Sequence, residues 1–311
     1  MTNITAPAQT GVGKTSAFLQ ISARRKATDN IAKYLIYFCM GLAVIPLIFV
    51  LWELISKGLP PVLNAEWWTD DMLGTRYAQE GGGAIHAIIG TLVQSVLASI
   101  IAIPIGIFTA IYLVEYSRGG WLGRTTTFMV DILSGVPSIV AALFVYAAWI
   151  TVLGFDRSGL AVAWSLLLLM IPIVVRNTEE MLRVVPMDLR EAAYALGVPK
   201  WKTIARIVLP TALSGIATGI MLAIARIMGE SAPVLILVGT TPALKWDPTG
   251  GPMSSLPLMM LDMFKAGLNP NVLDKMWGAA FTLVLIIAIL NIGARVISAK
   301  FSIKQDRKSV V

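Results

Sequence analysis

Residues 34–52 carry no charged side chain, and the same pattern recurs along the chain. Residues 85–114 (apart from His86), 132–155, 158–175, 207–225 and 276–294 are also free of Asp, Glu, Lys and Arg. The fifth stretch continues past Arg226 and Glu230 to Leu244. A helix that crosses the hydrocarbon of a bilayer needs about 20 largely apolar residues. Each stretch meets or approaches that length, so the expectation is an all-α integral membrane protein with six transmembrane helices. Composition agrees. Apolar residues make up 56% of the chain and charged residues 14%, against about 25% charged in an ordinary soluble domain. The mean hydropathy is +0.75.

The net charge of +7 invites a nucleic-acid reading, but its placement argues otherwise. With the N-terminus inside, the outer segments contain only Lys57, Arg76, Arg157, Lys245, Lys265 and Lys275, and Arg226 lies within a span. The remaining eighteen of the 25 Lys and Arg residues fall in inner segments. Basic residues accumulate on the cytoplasmic side of membrane proteins. Both termini are therefore expected on the cytoplasmic side of the membrane, and no nucleic-acid partner is implied. A basic leader over residues 1–33 is expected to be flexible, the six-helix membrane domain to span 34–300, and a basic tail to follow over 301–311. No cleavable signal peptide is expected, because the first apolar run begins after a polar leader and is long enough to span. One cysteine, Cys39, and one histidine, His86, leave no disulfide framework or Cys/His metal cluster, and no cofactor is expected in this chain.

Pro46, Pro104, Pro137, Pro172 and Pro233 fall within the apolar stretches, where each is expected to kink a helix. The sequence Gly215-Ile-Ala-Thr-Gly219 has a spacing that permits close helix packing. Residues 8–15, Ala-Gln-Thr-Gly-Val-Gly-Lys-Thr, resemble a nucleotide-binding phosphate loop. That chemistry needs a buried strand before the loop and a helix after it. The short, polar residues 1–7 cannot supply the strand, so the segment reads as part of the leader.

The largest expected inner loop covers residues 176–210. Pro186 interrupts any preceding helix, Asp188 is placed to cap a new one, and Glu191 follows three residues later as in a capping box. Gly197 suits the left-handed position that ends a helix, and Pro199 blocks its continuation. The expectation is a helix over 189–196, about 12 Å long at 1.5 Å per residue. Leu189, Ala192, Ala193 and Leu196 form an apolar stripe along it. Such a helix either lies in the lipid headgroups or fits a groove on a soluble partner.

A resemblance selects between these. Glu191-Ala192-Ala193, Gly197, Ile207 and Leu209-Pro210 match, at seven fixed positions, the EAA signature of ABC importer permeases. The resemblance implies the type I importer fold, with this segment as the coupling helix that docks on an ATP-hydrolysing subunit. Asp188, Leu189, Glu191, Ala192, Ala193, Tyr194, Leu196 and Gly197 would then form the ATPase-coupling surface. Further stretches resemble the permeases of the high-affinity phosphate importer, most nearly the PstA type, over roughly residues 30–300. They include Ile111-Tyr-Leu-Val-Glu-Tyr116, Asp131-Ile-Leu-Ser-Gly-Val-Pro-Ser138, Arg176-Asn-Thr-Glu-Glu-Met-Leu182 and Ala225-Arg-Ile-Met-Gly-Glu-Ser-Ala-Pro233. The last departs from the usual pattern only in Ser231, where threonine is customary. The resemblance implies several partners: a homologous permease (PstC type), an ATPase dimer (PstB type) that holds ATP and magnesium, and an external phosphate-binding protein (PstS type). Membrane lipids and the phosphate ion complete the set. This chain would itself be non-catalytic.

Arg226 and Glu230 stand four residues apart and would share a helix face. Counted from Ile207, Arg226 lies nearly 30 Å along the fifth span, at about 1.5 Å per residue, hence in its outer half. A charge at mid-membrane depth costs roughly 2.5–3.5 kcal/mol. Two readings stand: a salt bridge that locks the bundle, or a guanidinium that meets an anion in transit, with Arg226, Glu230 and Ser231 on the substrate pathway. Asp131 reads as a solvated residue at the inner boundary. Leu256, Met259, Met260 and Met263 recur at helical spacing and indicate an interfacial or re-entrant helix near the outer mouth. Other readings are an ABC permease for sulfate or molybdate, an integral membrane enzyme, and a membrane scaffold or sensor. The sparse catalytic inventory counts against the enzyme.

Overall fold

The computed structural model describes residues 23–117 and 119–301, with side chains described for 24–117 and 119–296. The resembling phosphate loop at 8–15, most of the leader and the tail beyond 301 lie outside the described residues. Every described regular element is helical. Helix α1 covers Ala23–Val62, so residues 23–33, expected as flexible leader, are helical. Every described side chain from Arg24 to Trp52 is exposed. These residues belong to one compact unit (Met1–Trp52) and the rest of the chain to another (Glu53–Val311).

Within the second unit, α2 (Ala65–Thr69) leads to α3 (Ile85–Ile111), whose last turns widen into a π-turn at Tyr112–Tyr116. Helix α6 (Gly159–Val184) is the central element: it packs most extensively against α3, and next against α9 (Leu209–Met228). Ser158 begins α6 by accepting a hydrogen bond from the Ala161 amide, the usual role of a serine at this position. The core between these helices includes Ala98, Ala102, Val162, Leu166, Met170, Val174, Ala223 and Ile227. Small residues at the contacts let the helix backbones approach closely. Gly219 of α9 faces the side chain of Asn177, and Gly215 faces Met181, both on α6. The Gly215–Gly219 spacing thus serves packing within the chain.

Among the described residues, five helices are long and apolar enough to cross a membrane: 24–62, 85–116, 159–184, 200–228 and 270–296. The third expected span differs. Helix α4 (Trp121–Gly135) and α5 (Ser138–Val145, extended by a π-turn at Tyr146–Val152) meet at a bend of 106°. They make a sixth crossing only if the pair is counted as one. Pro137 is the cause. Its ring fixes φ at −60°, and Val136 before it adopts φ −72°, ψ 124°, the extended conformation that a following proline imposes. Pro104 and Pro172 lie inside helices.

The fifth span also departs from expectation. The helical path begins at Lys200 (α8, Lys200–Thr203), passes a π-turn at Ile204–Val208, and ends with α9 at Met228. Pro210 has no N–H to give the ladder, and the wider turn just before it absorbs the missing bond. The Leu209 amide there donates to the Ile204 carbonyl. Beyond Gly229 the chain breaks and restarts as α10 (Ala232–Leu237). Pro233 therefore sits in the first turn of a new helix, where its lost donor costs nothing, and does not kink a span.

At the end of the unit holding α2, helix α11 (Leu256–Ala266) packs on α3 and on α12 (Pro270–Phe301). Its Leu256, Met259 and Met263 are buried with Trp67, Met72, Ile88 and Val272, and Met260 packs against them. The expected methionine-bearing helix is present, as a packed element. Asp71 ties the adjacent loops: its carboxylate accepts from the amides of Leu244 (3.0 Å) and Leu73 (2.9 Å). These two hydrogen bonds, the Leu244 one first, hold its pKa below the ordinary 3.8.

Candidate functional site

Arg176, Arg183, Arg190, Lys200, Lys202 and Arg206 crowd residues 176–206, and there lies the short helix foreseen between the fourth and fifth spans. Helix α7 covers Met187–Ala195, two residues ahead of the expected start and one short of the expected end. Asp188 is not the N-cap. Pro186 holds that position with φ −57°, ψ 142°. Pro186 is already extended, so the helix can begin at the next residue. Asp188 lies in the first turn, where a negative charge still favours the helix N-terminus. The far end forms as read: Gly197 adopts φ +75°, its amide donates to the Tyr194 carbonyl, and the Val198 amide donates to that of Ala193. The left-handed conformation at this position suits glycine.

The apolar stripe divides. Leu189 is 41% exposed and Leu196 83% exposed, and Ala192 is exposed with them. Ala193, expected on the same surface, is buried against the chain's own helices. Asp188, Glu191, Tyr194 and Gly197 are exposed. Val184, Met187 and Trp201 add further exposed apolar surface nearby in sequence. The inward face of α7 is made by Ala193 and, unexpectedly, Arg190.

Arg190 was not singled out by sequence reasoning, because an arginine on a short amphipathic helix reads as a solvated charge. Its side chain is 6% exposed. Nε and Nη2 approach Glu115 Oε1 at 3.1 and 3.0 Å. Nη1 donates to the Val185 carbonyl (2.6 Å) and Nη2 to the Leu182 carbonyl (2.9 Å). The nearby Lys200 ammonium donates to the Glu115 carbonyl and sits 4.8 Å from the centre of the Tyr116 ring. One clue existed in the sequence: Glu115 closes an apolar span, a costly place for a lone acid. Asp131 is exposed, as read, and also pairs with Arg176, which reaches Glu179 at 2.9 Å, and Glu179 in turn holds Arg183 at 2.6 Å.

Arg226 and Glu230 are not brought together. Arg226 is exposed in the last turn of α9, Gly229 ends that helix, and Glu230 lies in the break beyond it. Among the described residues no ion pair forms between them. The four-residue spacing places two side chains on one face only where the helix continues. Ser231 occupies the N-cap position of α10, where its side chain makes no cap hydrogen bond. The salt-bridge reading of Arg226 is thereby not met, and among the described residues no carboxylate pairs with its guanidinium at the helix end.

A family model described as the binding-protein-dependent transport system inner membrane component matches residues 102–303. The chain is 48% identical over 284 residues to the phosphate transport system permease protein PstA 1 of Mycobacterium tuberculosis, covering 91% of this chain and 92% of that one. It is 41% identical over 281 residues to the phosphate transport system permease protein PstA of Yersinia pestis, covering 89% and 92%. Among solved structures, a chain of a bacterial ABC transporter involved in the import of alginate superposes with TM-score 0.60. The two are 18% identical, with 89% of this chain and 99% of that one covered. A chain of the MetNI methionine ABC transporter, inward facing, superposes with TM-score 0.56 at 18% identity, covering 70% and 94%. These two likenesses speak to the fold.

Proposed function

Because this chain belongs to the family of binding-protein-dependent transport system inner membrane components, we propose that it is the membrane-spanning permease subunit of an ATP-driven phosphate importer. The observation that carries the substrate is the similarity, over nearly the whole chain, to phosphate transport permeases. In this reading the basic end of the bundle faces the cytoplasm, and the exposed face of α7 docks on an ATPase. That face presents Asp188, Leu189, Glu191, Ala192, Tyr194 and Leu196, with Gly197 at its end. ATP and magnesium belong to the ATPase dimer. An external binding protein delivers phosphate, and a homologous permease supplies the other half of the pathway. Arg226 stands on that pathway, with Glu230 and Ser231 beside it in the chain. Its planar, permanently charged fork matches a tetrahedral oxyanion, and its separation from Glu230 supports a guanidinium available to a passing anion.

Uptake of radiolabelled phosphate by cells depending on this chain tests the reading. Wild-type uptake is expected to persist in excess sulfate or molybdate. Arg226→Gln is expected to lower it by about tenfold or more in a normally assembled complex, since a hydrogen bond to a charged group contributes roughly 1.5–3 kcal/mol. Equal competition by sulfate or molybdate would contradict the substrate. Near-normal uptake by an assembled Arg226→Gln complex would remove Arg226 from the pathway.

A further inference from the structure

The clasp made by Arg190 is more than α7 needs to stay folded. Both partners of the Arg190–Glu115 pair have side chains 6% exposed. Burying an ion pair carries a desolvation cost that apolar packing would avoid, so stability alone is a weak reason for it. What a guanidinium supplies is direction. Its nitrogens are fixed in one plane, and here they reach two elements from a third: Glu115 on the π-turn that ends α3, and α6 through the carbonyls of Leu182 within it and Val185 just beyond it. The last carbonyls of a helix have no partner within it, so Arg190 closes the end of α6 from outside. Lys200, at the start of α8, fastens the same Glu115 residue through its carbonyl. Glu115 itself stands on the π-turn Tyr112–Tyr116, and a second π-turn, Ile204–Val208, follows Lys200. Turns of this kind recur at functional sites. They flank the clasp on both sides.

From this geometry we infer that Arg190 is the positioning residue that makes α7 move as one body with the ends of α3 and α6, so that a displacement of α7 reaches both spans together. The inference rests on the reading that α7 docks on an ATPase. A polar clasp of this kind breaks as a unit: tilting α7 away from α6 strips the carbonyls of Leu182 and Val185 and leaves Glu115 buried without its charge partner. The arrangement therefore resists intermediate positions, as a coupling element must.

The test uses the whole complex in proteoliposomes, with partner permease, ATPase and external binding protein, and reads phosphate transported per ATP hydrolysed. Arg190→Lys keeps the charge and loses the fork. Glu115→Gln keeps the size and an acceptor oxygen and loses the charge. Both variants are expected to hydrolyse ATP at about the wild-type rate while phosphate moved per ATP falls by about fivefold or more. If hydrolysis and uptake fall together at an unchanged ratio, the clasp serves folding and the inference is overturned. Failure of both variants to assemble overturns it as well. Glu191→Lys separates the underlying reading. If the ATPase still co-purifies with Glu191→Lys at wild-type yield, the docking reading fails and takes the inference with it. Loss of the ATPase in that variant together with an unchanged ratio in the clasp variants removes the inference alone.

Discussion

Gly219 has no room for a side chain. An ideal Cβ there would lie 1.6 Å from Asn177 Oδ1, far inside van der Waals contact. Gly219→Ala is therefore expected to destabilise the α6–α9 contact by about 1–3 kcal/mol, the usual cost of overpacking. A lower midpoint of thermal unfolding in detergent would show it, and adding Asn177→Ala should restore much of the loss. An unchanged midpoint for Gly219→Ala would mean that this contact is not tight. The sequence made the glycine spacing visible but not its partner, because Asn177 is 42 residues earlier and only the packed helices join them. The same limit hid the Arg190–Glu115 pair, whose members are 75 residues apart. Arg226 shows the converse: local spacing suggested a pair with Glu230, and the helix end at Gly229 dissolved it.

At the scale of elements, the parts set by local chemistry were legible. The end of α7 at Gly197 followed from the needs of a left-handed residue, and α11 followed from its methionine spacing. The start of α7 was misread, because Asp188 and Pro186 both suit a helix start and the extended Pro186 took the cap position. A kink was expected at Pro137, but the bend there is 106° and breaks the helix. A proline in an apolar run can either kink a helix or end it, and composition does not decide between them. The loop holding Asp71 adds a pH dependence. Its carboxylate is held below 3.8 by the amides of Leu244 and Leu73, so folding binds fewer protons there than unfolding does. That contribution is present above the unfolded value and is lost as pH falls through the folded one. Protection factors against hydrogen exchange at the Leu244 and Leu73 amides, corrected for intrinsic rates, should therefore be high at neutral pH and fall once pH drops below the ordinary carboxylate range. In Asp71→Asn they should be lower at neutral pH and vary less with acidification. Equal protection in wild type and variant would show that the carboxylate does not hold these loops.

For the molecule as a whole, the membrane character and helical class were readable from uncharged run lengths alone, since a bilayer leaves a chain few other solutions. Five of the six expected runs correspond to helices long and apolar enough to span, and the remaining one became the bent pair α4–α5. The order of packing, with α6 at the centre, was not readable, because all the runs are apolar and none carries a mark of its neighbours. These scales meet in α7: an exposed face that we propose docks on an ATPase, and a buried arginine that ties that face to two spans. Site-directed cross-linking tests this most directly. With Cys39 replaced by serine and Leu196, 83% exposed, replaced by cysteine, a short thiol cross-linker should join this chain to the ATPase subunit in the assembled complex. The same treatment of a cysteine at the buried Ala193 position should not. A Leu196→Cys chain that stays uncoupled from the ATPase in an intact complex, while reacting with a lipid-soluble thiol probe, would contradict the docking role of α7.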